Sequence, residues 1–403
     1  MNKKCVVLGV TGGIASYKAL DIVSKLKKLN YDVNIIMTKS ALQFIHPLPF
    51  QSLSGNMVSK DMFEEPKAFE IQHISLAKKA DMILVAPATA NIIGKVANGI
   101  ADDMLSTTIM AATCPVVFVP AMNTNMYKNP IVKNNIEKLK GFGYEFINPI
   151  SGRLACGDVG EGKMADTEDI VEIADSMLYP IKDLIGKNIL VTAGPTLAPI
   201  DPVRYITNKS SGKMGYSIAK EARDRGAKVT LVSGPTNLKT PLGLDIIKVN
   251  TNEEMLKAVK DNFERQHIVI KSAAVADYKP KEYKEHKIKK TGDDFNLELI
   301  KDKDILKELG LIKKNQILVG FAAESKDLLD NAKSKLEKKN LDFIVANNIL
   351  SKETGFASED NLVTIISKDG CIKNLEKMSK REVAKEIFDT ILNKNNMKIK
   401  ERQ

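Results

Sequence analysis

The chain has 403 residues, a formal net charge of +10, 43% hydrophobic residues and 27% charged residues. This length is enough for two or three domains with separate cores. The longest apolar run, residues 109–122, contains two prolines and is too short to span a bilayer. Basic residues alternate with acidic ones on helix-like stretches and tryptophan is absent, which argues against a nucleic-acid-binding surface.

The cysteines are scattered and form no C-x-x-C pair; they are Cys5, Cys114, Cys156 and Cys371. This spacing indicates a reducing compartment rather than a disulfide framework or a zinc site. The apolar stretch after Lys4 is too short for a signal peptide and predicts a first strand. We therefore expect a cytoplasmic protein.

Apolar runs that predict strands alternate with amphipathic stretches in the first half of the chain. The run at residues 5–10 is followed by a helix pattern at residues 17–31, where leucine or valine recurs every three residues. Further apolar runs lie at residues 33–38, 80–89 and 114–122. This alternation is typical of a parallel sheet covered by helices.

The same alternation restarts at Asn188. A strand run at 188–194, a helix pattern at 216–227 and a strand run at 227–234 repeat the opening of the chain. The connection at residues 179–188, with a proline and a glycine, is the natural boundary. We predict two α/β domains, residues 1–185 and 186–403, each with a ligand site beyond the carboxyl ends of its strands.

The polar run Asp201–Gly215 is the most informative segment. It supplies the cations Arg204, Lys209 and Lys213, and its glycines allow the backbone to approach a ligand. Backbone N–H groups at the start of the following helix would complete an anion site. The run predicts a phosphorylated ligand, although it lacks the spacing of a P-loop. A solvated connection is the alternative that its composition disfavours.

Small polar residues at strand ends of the first half predict a second ligand site. Gly12, Gly13 and Ser16 follow the first strand, which is a weak signal by itself. The other strand ends expected at the same edge are residues 37–41, 87–91, 104–108 and 120–126. Together they suit a phosphate and a flat ring that carries donors and acceptors.

Two reactive side chains lie near these segments. His73 precedes the strand run at 80–89; a lone histidine is commonly structural, but the chain has only four. Cys156 lies in a glycine-rich, charged segment that predicts a mobile lid. In that position we expect an acid or a nucleophile rather than a bystander thiol.

The motifs resemble known enzyme families. HIS…AD, PATAN, PAMNTNMY and ACGDVGEGKM resemble the flavin-dependent cysteine decarboxylases, and residues 201–215 with AAVADY and KIKK resemble the phosphopantothenoylcysteine synthetases. Their order and the chain length resemble the bifunctional coenzyme A biosynthesis proteins. The resemblance covers the chain except for its basic tail. It implies a flavodoxin-like N-terminal domain and a Rossmann-like synthetase domain, both with largely parallel sheets.

For the first domain, the resemblance implies FMN-dependent decarboxylation of phosphopantothenoylcysteine to 4′-phosphopantetheine. FMN takes a hydride from the substrate's cysteine side chain, CO₂ leaves, and the hydride is returned. His73 then assists near the flavin, Asn123 binds the substrate carboxylate, and Cys156 donates a proton. The implied FMN-binding residues are Gly12, Gly13, Ser16, Thr38, Pro87, Thr89, Asn91, Ser106 and Thr107.

For the second domain, the resemblance implies ligation of cysteine to 4′-phosphopantothenate with CTP as co-substrate. The carboxylate attacks the α-phosphate, pyrophosphate leaves, and the cysteine amine attacks the acyl-cytidylate; positioning and charge neutralisation dominate. Asn208 contacts the acyl-cytidylate, and Mg²⁺ accompanies the triphosphate through ligands that the sequence does not identify. The implied nucleotide-binding residues are Asp277, Lys287, Lys301, Asp304, Phe321, Lys335 and Lys339.

The sequence departs from the family pattern at two places. Leu197 and Ala198 stand where many members have an Arg–Glu pair, and residues 301–305 read KDKDI where a KNPDI-like sequence is common. The second departure puts any role of Asp302 or Lys303 in doubt. Neither removes a residue to which chemistry is assigned.

Two other functions stay open at this point. A flavin enzyme that acts on a peptide cysteine or transfers a prenyl group would have no use for the second domain. A flavin-binding regulatory protein without catalysis would commonly lack Cys156 or carry an acidic tail. The resemblance also implies a homo-oligomer, with flavin-domain trimers in a dodecamer and synthetase domains as dimers, and neither a nucleic-acid nor a membrane partner.

Overall fold

The computed structural model describes residues 3–63, 71–155, 157–289, 296–324, 328–348 and 360–400, so Cys156 lies outside the described residues. The chain divides into two compact units, residues 1–178 (unit 1) and 179–403 (unit 2). Residues 179–185, which the sequence analysis assigned to the first domain, belong to unit 2 in this division. Among the described helices, none is long and apolar enough to cross a membrane.

Unit 1 alternates strands and helices. Its strands are β1 (Cys5–Val10), β2 (Asp32–Met37), β3 (Val58–Ser59), β4 (Met82–Ala88), β5 (Val116–Pro120), β6 (Glu145–Phe146), β7 (Ile150–Arg153) and β8 (Val159–Lys163). Its helices are α1 (Lys18–Lys28), α2 (Pro47–Ser54), α3 (Gln72–Lys79), α4 (Ala90–Ala97), α5 (Met104–Ala111), α6 (Thr124–Lys128), α7 (Pro130–Gly141) and α8 (Thr167–Met177).

The main sheet of unit 1 has the order β3-β2-β1-β4-β5-β6, and its strands pair in parallel. Without the two-residue edge strand β3, this is the flavodoxin-like order. Every residue of β1 and β4 is buried, because helices cover both faces of the sheet. Alternate residues of β1 enter separate cores: Val6 and Leu8 join one, and Cys5 and Val7 join the other.

Unit 2 repeats this plan with additional short strands. Its strands are β9 (Asn188–Ala193), β10 (Leu197–Pro199), β11 (Tyr205–Thr207), β12 (Lys228–Ser233), β13 (Asp245–Lys248), β14 (Ile268–Lys271), β15 (Tyr278–Pro280), β16 (Leu299–Lys301), β17 (Ile317–Glu324), β18 (Phe343–Asn348), β19 (Asp360–Asn361), β20 (Val363–Ser367), β21 (Ile372–Asn374) and β22 (Met378–Ser379). Its helices are α9 (Lys213–Asp224), α10 (Asn252–Phe263), α11 (Ile305–Ile312), α12 (Leu328–Lys338) and α13 (Lys380–Lys400).

The main sheet of unit 2 has the order β13-β12-β9-β14-β17-β18-β20-β21. The first six strands in this order pair in parallel and follow the Rossmann order; they are β13, β12, β9, β14, β17 and β18. Strands β20 and β21 extend the sheet with antiparallel pairing. The predicted α/β fold of both halves is therefore confirmed. In each sheet the strand order reverses at the first strand of the unit, β1 or β9, and this is where such folds bind ligands.

Candidate active sites

A cavity of about 560 Å³ lies beyond the ends of β1 and β4 in unit 1. Among the residues predicted for this site, it is lined by Gly12, Gly13, Pro87, Thr89 and Asn123. Apolar side chains such as Ile14, Met122 and Met126 line it as well. The cavity therefore joins a glycine turn, the end of a central strand and an apolar wall.

Thr11 joins the two strand ends that form this cavity. Its Oγ1 donates a hydrogen bond to the carbonyl oxygen of Pro87 at 2.7 Å and accepts one from the Thr89 N–H at 3.2 Å. Gly12 follows, and a Cβ atom there would lie 2.8 Å from the carbonyl carbon of Ser40. Only glycine therefore allows the turns after β1 and β2 to approach this closely.

The hairpin of β7 and β8, residues 150–163, covers one side of the cavity and is called the flap here. It is fixed on the turn before α6, because Met122 donates its N–H to the carbonyl oxygen of Gly162 at 3.0 Å. Gly162 has a φ of 135°, which L side chains rarely adopt. The flap also brings the cations Arg153 and Lys163 to the cavity. Neither residue was predicted from the sequence.

Asn123 connects α6 to the flap. Its Oδ1 accepts from the Asn125 N–H at 2.8 Å and caps α6, and its Nδ2 donates to Oδ2 of Asp158 at 3.1 Å. The capping bond fixes the side-chain amide so that its NH₂ group is directed at a carboxylate. The geometry suits recognition of a carboxylate, which was the role predicted for Asn123.

Several predicted FMN-binding residues do not line this cavity: Ser16, Thr38, Asn91, Ser106 and Thr107. The hydroxyl of Ser16 is buried and lies 2.6 Å from the carbonyl oxygen of Gly13. Ser106 forms a capping box with Asp103 at the start of α5. Residues 104–108 therefore begin a helix, and the prediction of a strand end there was wrong.

His73 is also not among the residues that line the cavity. It lies in the first turn of α3 and is partly buried. The helix α3 leads directly into the start of β4. The role of His73 stays a prediction, as does that of Cys156.

A second cavity, of about 400 Å³, lies beyond the ends of β9 and β14 in unit 2. The residues predicted from the sequence converge here: its lining includes Asn208, Asp277, Lys301, Asp304, Phe321, Lys335 and Lys339. Lys287 is exposed and is not among the lining residues. The lining also includes Lys271, the last residue of β14, which the sequence analysis did not identify.

The start of α9 forms one wall of this cavity, through residues 210–215. Gly212 caps the helix with a φ of 79°, which favours glycine. A Cβ atom at Gly215 would lie 2.9 Å from the carbonyl oxygen of Thr192, so glycine allows α9 to approach β9. The backbone N–H groups at the N-terminus of this helix favour an anion.

Asp201 and Arg204, which precede this cavity wall in the sequence, have a structural role. The buried carboxylate of Asp201 accepts from Arg204 Nε at 3.0 Å and from the Ile288 N–H at 3.2 Å. Arg204 holds the pKa of Asp201 well below its usual range. The prediction that Arg204 supplies a cation for the ligand is thus replaced by a different role: the pair fixes the segment that contains Lys287.

Asn208 bonds to the loop after β14. Its Nδ2 donates to the carbonyl oxygens of Ala274 and Val275, at 3.0 and 3.1 Å. On the opposite wall, Lys339 Nζ lies 2.7 Å from Oδ2 of Asp304. Burial raises the pKa of Asp304, but the hydrogen bonds from Lys339 and the Lys307 N–H outweigh it and hold this pKa below its usual value.

Family models match both units. The model described as Flavoprotein matches residues 1–178, and the model described as DNA/pantothenate metabolism flavoprotein C-terminal domain matches residues 184–394. The fold and both cavities thus define a two-domain flavoprotein of α/β architecture.

Relatives that match nearly the whole chain identify the family within this class of flavoproteins. The coenzyme A biosynthesis bifunctional protein CoaBC of Bacillus subtilis is 50% identical, with 97% of this chain and 97% of that protein covered. The protein of that name from Haemophilus influenzae is 42% identical, with 97% and 98% covered. The chain belongs to the family of bifunctional coenzyme A biosynthesis proteins, and it is an enzyme with the ligase and decarboxylase activities of that family. The resemblance seen in the motifs is confirmed.

Solved structures are similar to parts of the chain. The C-terminal domain of coenzyme A biosynthesis bifunctional protein CoaBC is 45% identical, covers 52% of this chain and 96% of its own, and has a TM-score of 0.45. A PPC decarboxylase mutant complexed with pantothenoylaminoethenethiol is 31% identical, covers 43% and 97%, and has a TM-score of 0.39.

Proposed function

We propose that unit 2 uses CTP to join cysteine to 4′-phosphopantothenate, and that unit 1 decarboxylates the product with FMN to give 4′-phosphopantetheine. The observation that supports this proposal is that motif residues distant in the sequence line a common cavity in each unit. Gly12, Pro87 and Asn123 are distant in sequence but line one cavity, and Asn208, Lys301 and Lys339 line another. Both cavities lie at switch points of strand order, where doubly wound folds bind ligands.

The cavity of unit 1 fits a flavin. Its volume of about 560 Å³ is in the range of cofactor sites. Its apolar wall suits a flat ring, and the glycine turn at residues 12–13 allows close backbone contact with a phosphate. When bound, FMN supplies the hydride chemistry. We assign Gly12, Gly13, Pro87 and Thr89 to FMN binding on this basis.

Chain residues in unit 1 bind the substrate and supply the proton. Asn123 donates its amide hydrogens to the carboxylate that leaves as CO₂, and its hydrogen bond to the carboxylate of Asp158 supports this role. We propose that Cys156, which lies between β7 and β8 in the sequence, donates the proton, because a thiol and an enethiolate have comparable pKa values. His73 assists near the flavin.

The cavity of unit 2 fits a nucleotide. The N-terminus of α9 and the lysines at 335 and 339 supply positive charge for the phosphates. Mg²⁺ commonly binds substrate phosphates together with one or two carboxylates, and Asp277 and Asp304 line the cavity. Asn208 lies at the junction of the helix end and the loop after β14, where we place the acyl-cytidylate.

We propose a cytoplasmic homo-oligomer, with flavin-domain trimers joined into a dodecamer and synthetase domains paired as dimers. Large apolar side chains near the unit 1 cavity support an interface: Ile14 is 64% exposed and Tyr17 is 60% exposed. His73 does not line the cavity of its own chain, so an oligomer would allow a neighbouring subunit to provide it.

The testing experiment supplies 4′-phosphopantothenate, cysteine, CTP and Mg²⁺ to the purified, FMN-loaded protein. We expect release of pyrophosphate and CO₂ with formation of 4′-phosphopantetheine. Omitting cysteine should stop CO₂ release. Absence of turnover with any nucleotide would rule out the ligase assignment, and accumulation of phosphopantothenoylcysteine would rule out the decarboxylase assignment.

A further inference from the structure

Lys271 ends the central strand β14, which lies between β9 and β17. The preceding residues of this strand, Ile268 to Ile270, are buried and apolar. The chain therefore places a lysine where an apolar strand meets the nucleotide cavity, and Lys271 lines that cavity. Its Nζ donates to the carbonyl oxygen of Ala273 at 2.9 Å.

Lys271 and Asn208 line the same cavity and bond to the same loop. Lys271 bonds to the carbonyl oxygen of Ala273, and Asn208 bonds to those of Ala274 and Val275. Both side chains thus contact consecutive carbonyl groups of one loop. Lys271 therefore lines the cavity in which we place the acyl-cytidylate.

Charged groups face Lys271 from the elements around it: Lys335 and Lys339 from the α12 side, Asp304 at the start of α11, and Asp277 in the loop after β14. Burial and then the positive charge of Lys339 lower the pKa of Lys271 to about 8, against the opposing effect of the carboxylates. Asp304 is already bonded to Lys339 at 2.7 Å. An additional anion in this cavity would stabilise the ammonium form of Lys271.

We propose that the ammonium group of Lys271 binds a phosphate of the nucleotide and is a further anion-binding residue of the ligase site. This inference rests on the proposed use of CTP by unit 2. Near pH 8, about half of the molecules carry a neutral amine at this position before binding. The phosphate favours the charged form, so CTP binding takes up protons there. At pH 6.5 the lysine is already protonated, and this uptake disappears.

Titration calorimetry of CTP binding to the full-length, FMN-loaded protein tests this. Titrations in excess Mg²⁺ at pH 8, in Tris and in HEPES, give the number of protons taken up from the difference in heat. We expect uptake of about half a proton per site at pH 8 and less at pH 6.5. Lys271→Met should abolish the uptake and weaken CTP binding by about 10-fold to 100-fold.

Two further variants separate charge, titration and folding. Lys271→Arg keeps a permanent positive charge, so it should bind CTP better than Lys271→Met but show no uptake at pH 8. Lys260→Met is the matched control, because Lys260 is a surface lysine of α10 paired with Glu308 at 2.7 Å; it should behave like the parent protein. Circular dichroism and the thermal unfolding transition of unit 2 check that each variant is folded, because decarboxylation in unit 1 does not report on unit 2.

Several outcomes would overturn the inference. Unchanged proton uptake or unchanged CTP affinity in Lys271→Met would show that Lys271 does not contact the nucleotide. Normal pyrophosphate release with failure to consume cysteine would show that Lys271 acts on the amine instead. If the parent protein itself neither binds nor turns over CTP, the proposed function of unit 2 is wrong. This outcome is distinguishable, because the outcomes above concern only the Lys271→Met variant of a protein that binds CTP.

Discussion

Asn123 donates a hydrogen bond from Nδ2 to Oδ2 of Asp158 at 3.1 Å, so a carboxylate of the flap lies on the amide proposed to bind the substrate carboxylate. Substrate entry would exchange one carboxylate for another at this position. Because Asp158 directly precedes β8 in the turn of the flap, this exchange would couple substrate binding to the position of the flap. Cys156 lies two residues before Asp158, so the same movement would affect the proposed proton donor.

Asn123→Asp should abolish decarboxylation while ligation continues. The substitution keeps the shape of the side chain but replaces the donor with a carboxylate, which repels both the substrate and Asp158. We expect kcat/KM for supplied phosphopantothenoylcysteine to fall by about 100-fold or more, as measured by CO₂ release. Asn129→Asp is the matched control, because Asn129 caps α7 and aspartate also accepts from the Ile131 N–H. Equal loss in both variants would contradict the assignment.

Cys156→Ser should stop the protonation step. A serine hydroxyl is a much weaker acid than a thiol, so decarboxylation should stall while pyrophosphate release from CTP persists. Paired assays of CO₂ and pyrophosphate on the same preparation measure this. Cys371→Ser, at an exposed cysteine of unit 2, should leave both activities unchanged. Loss of pyrophosphate release in Cys156→Ser would argue against separate sites.

Most of the fold could be predicted because the central strands are buried on both faces. Strands such as β1, β4 and β9 are near-continuous apolar runs that stand out from the amphipathic helices between them. Short elements gave no such signal: β10 pairs with β11 and β15 with β16 over three residues each, which is too short for periodicity.

Site residues could be predicted where a sequence motif determines the backbone conformation. They were harder to predict where a polar side chain can bond to a neighbouring residue instead of a ligand. Arg204 looked like a ligand for phosphate, but Asp201 three residues earlier binds it. Ser106 looked like a phosphate contact, yet Asp103 is a preferred N-cap residue and bonds to Ser106 at the start of α5. Lys271 could have been found as a charged residue that ends an apolar strand run at the ligand edge.

Asn208→Ala should impair ligation and spare decarboxylation. The variant loses the hydrogen bonds to the carbonyl oxygens of Ala274 and Val275, and with them the contact proposed for the acyl-cytidylate. We expect pyrophosphate release to fall by about 100-fold, while CO₂ release from supplied phosphopantothenoylcysteine is unchanged. Asn188→Ala is the matched control, because Asn188 makes the same type of bond to Arg265, at the opposite edge of the sheet. Similar effects of both variants would indicate a structural role for Asn208.

Glu221 on α9 provides a prediction about stability and pH. Its carboxyl group is buried; Tyr179 donates to Oε1 at 2.7 Å, and Oε2 has no hydrogen-bond partner among the described residues. Burial raises the pKa of Glu221 above its usual value, against the effect of the bond from Tyr179. A raised pKa means that the folded protein holds this proton more tightly than the unfolded chain. The resulting stability is full below the unfolded pKa and is lost as pH rises through the folded pKa.

Glu221→Gln should therefore stabilise the protein at pH 7 and have less effect near pH 4. Glutamine keeps the neutral shape at every pH. Arg225 loses its 3.9 Å ion pair with Glu221 but keeps its closer partners Asp183 and Asp389. We expect a gain of roughly 1 kcal/mol in the free energy of unfolding at pH 7, measured as a higher Tm across a pH series. Glu264→Gln is the control and should not stabilise the protein at pH 7, because Lys314 lowers the pKa of this exposed carboxyl group. A lower Tm of Glu221→Gln at pH 7 would mean that the charged form of Glu221 stabilises the fold.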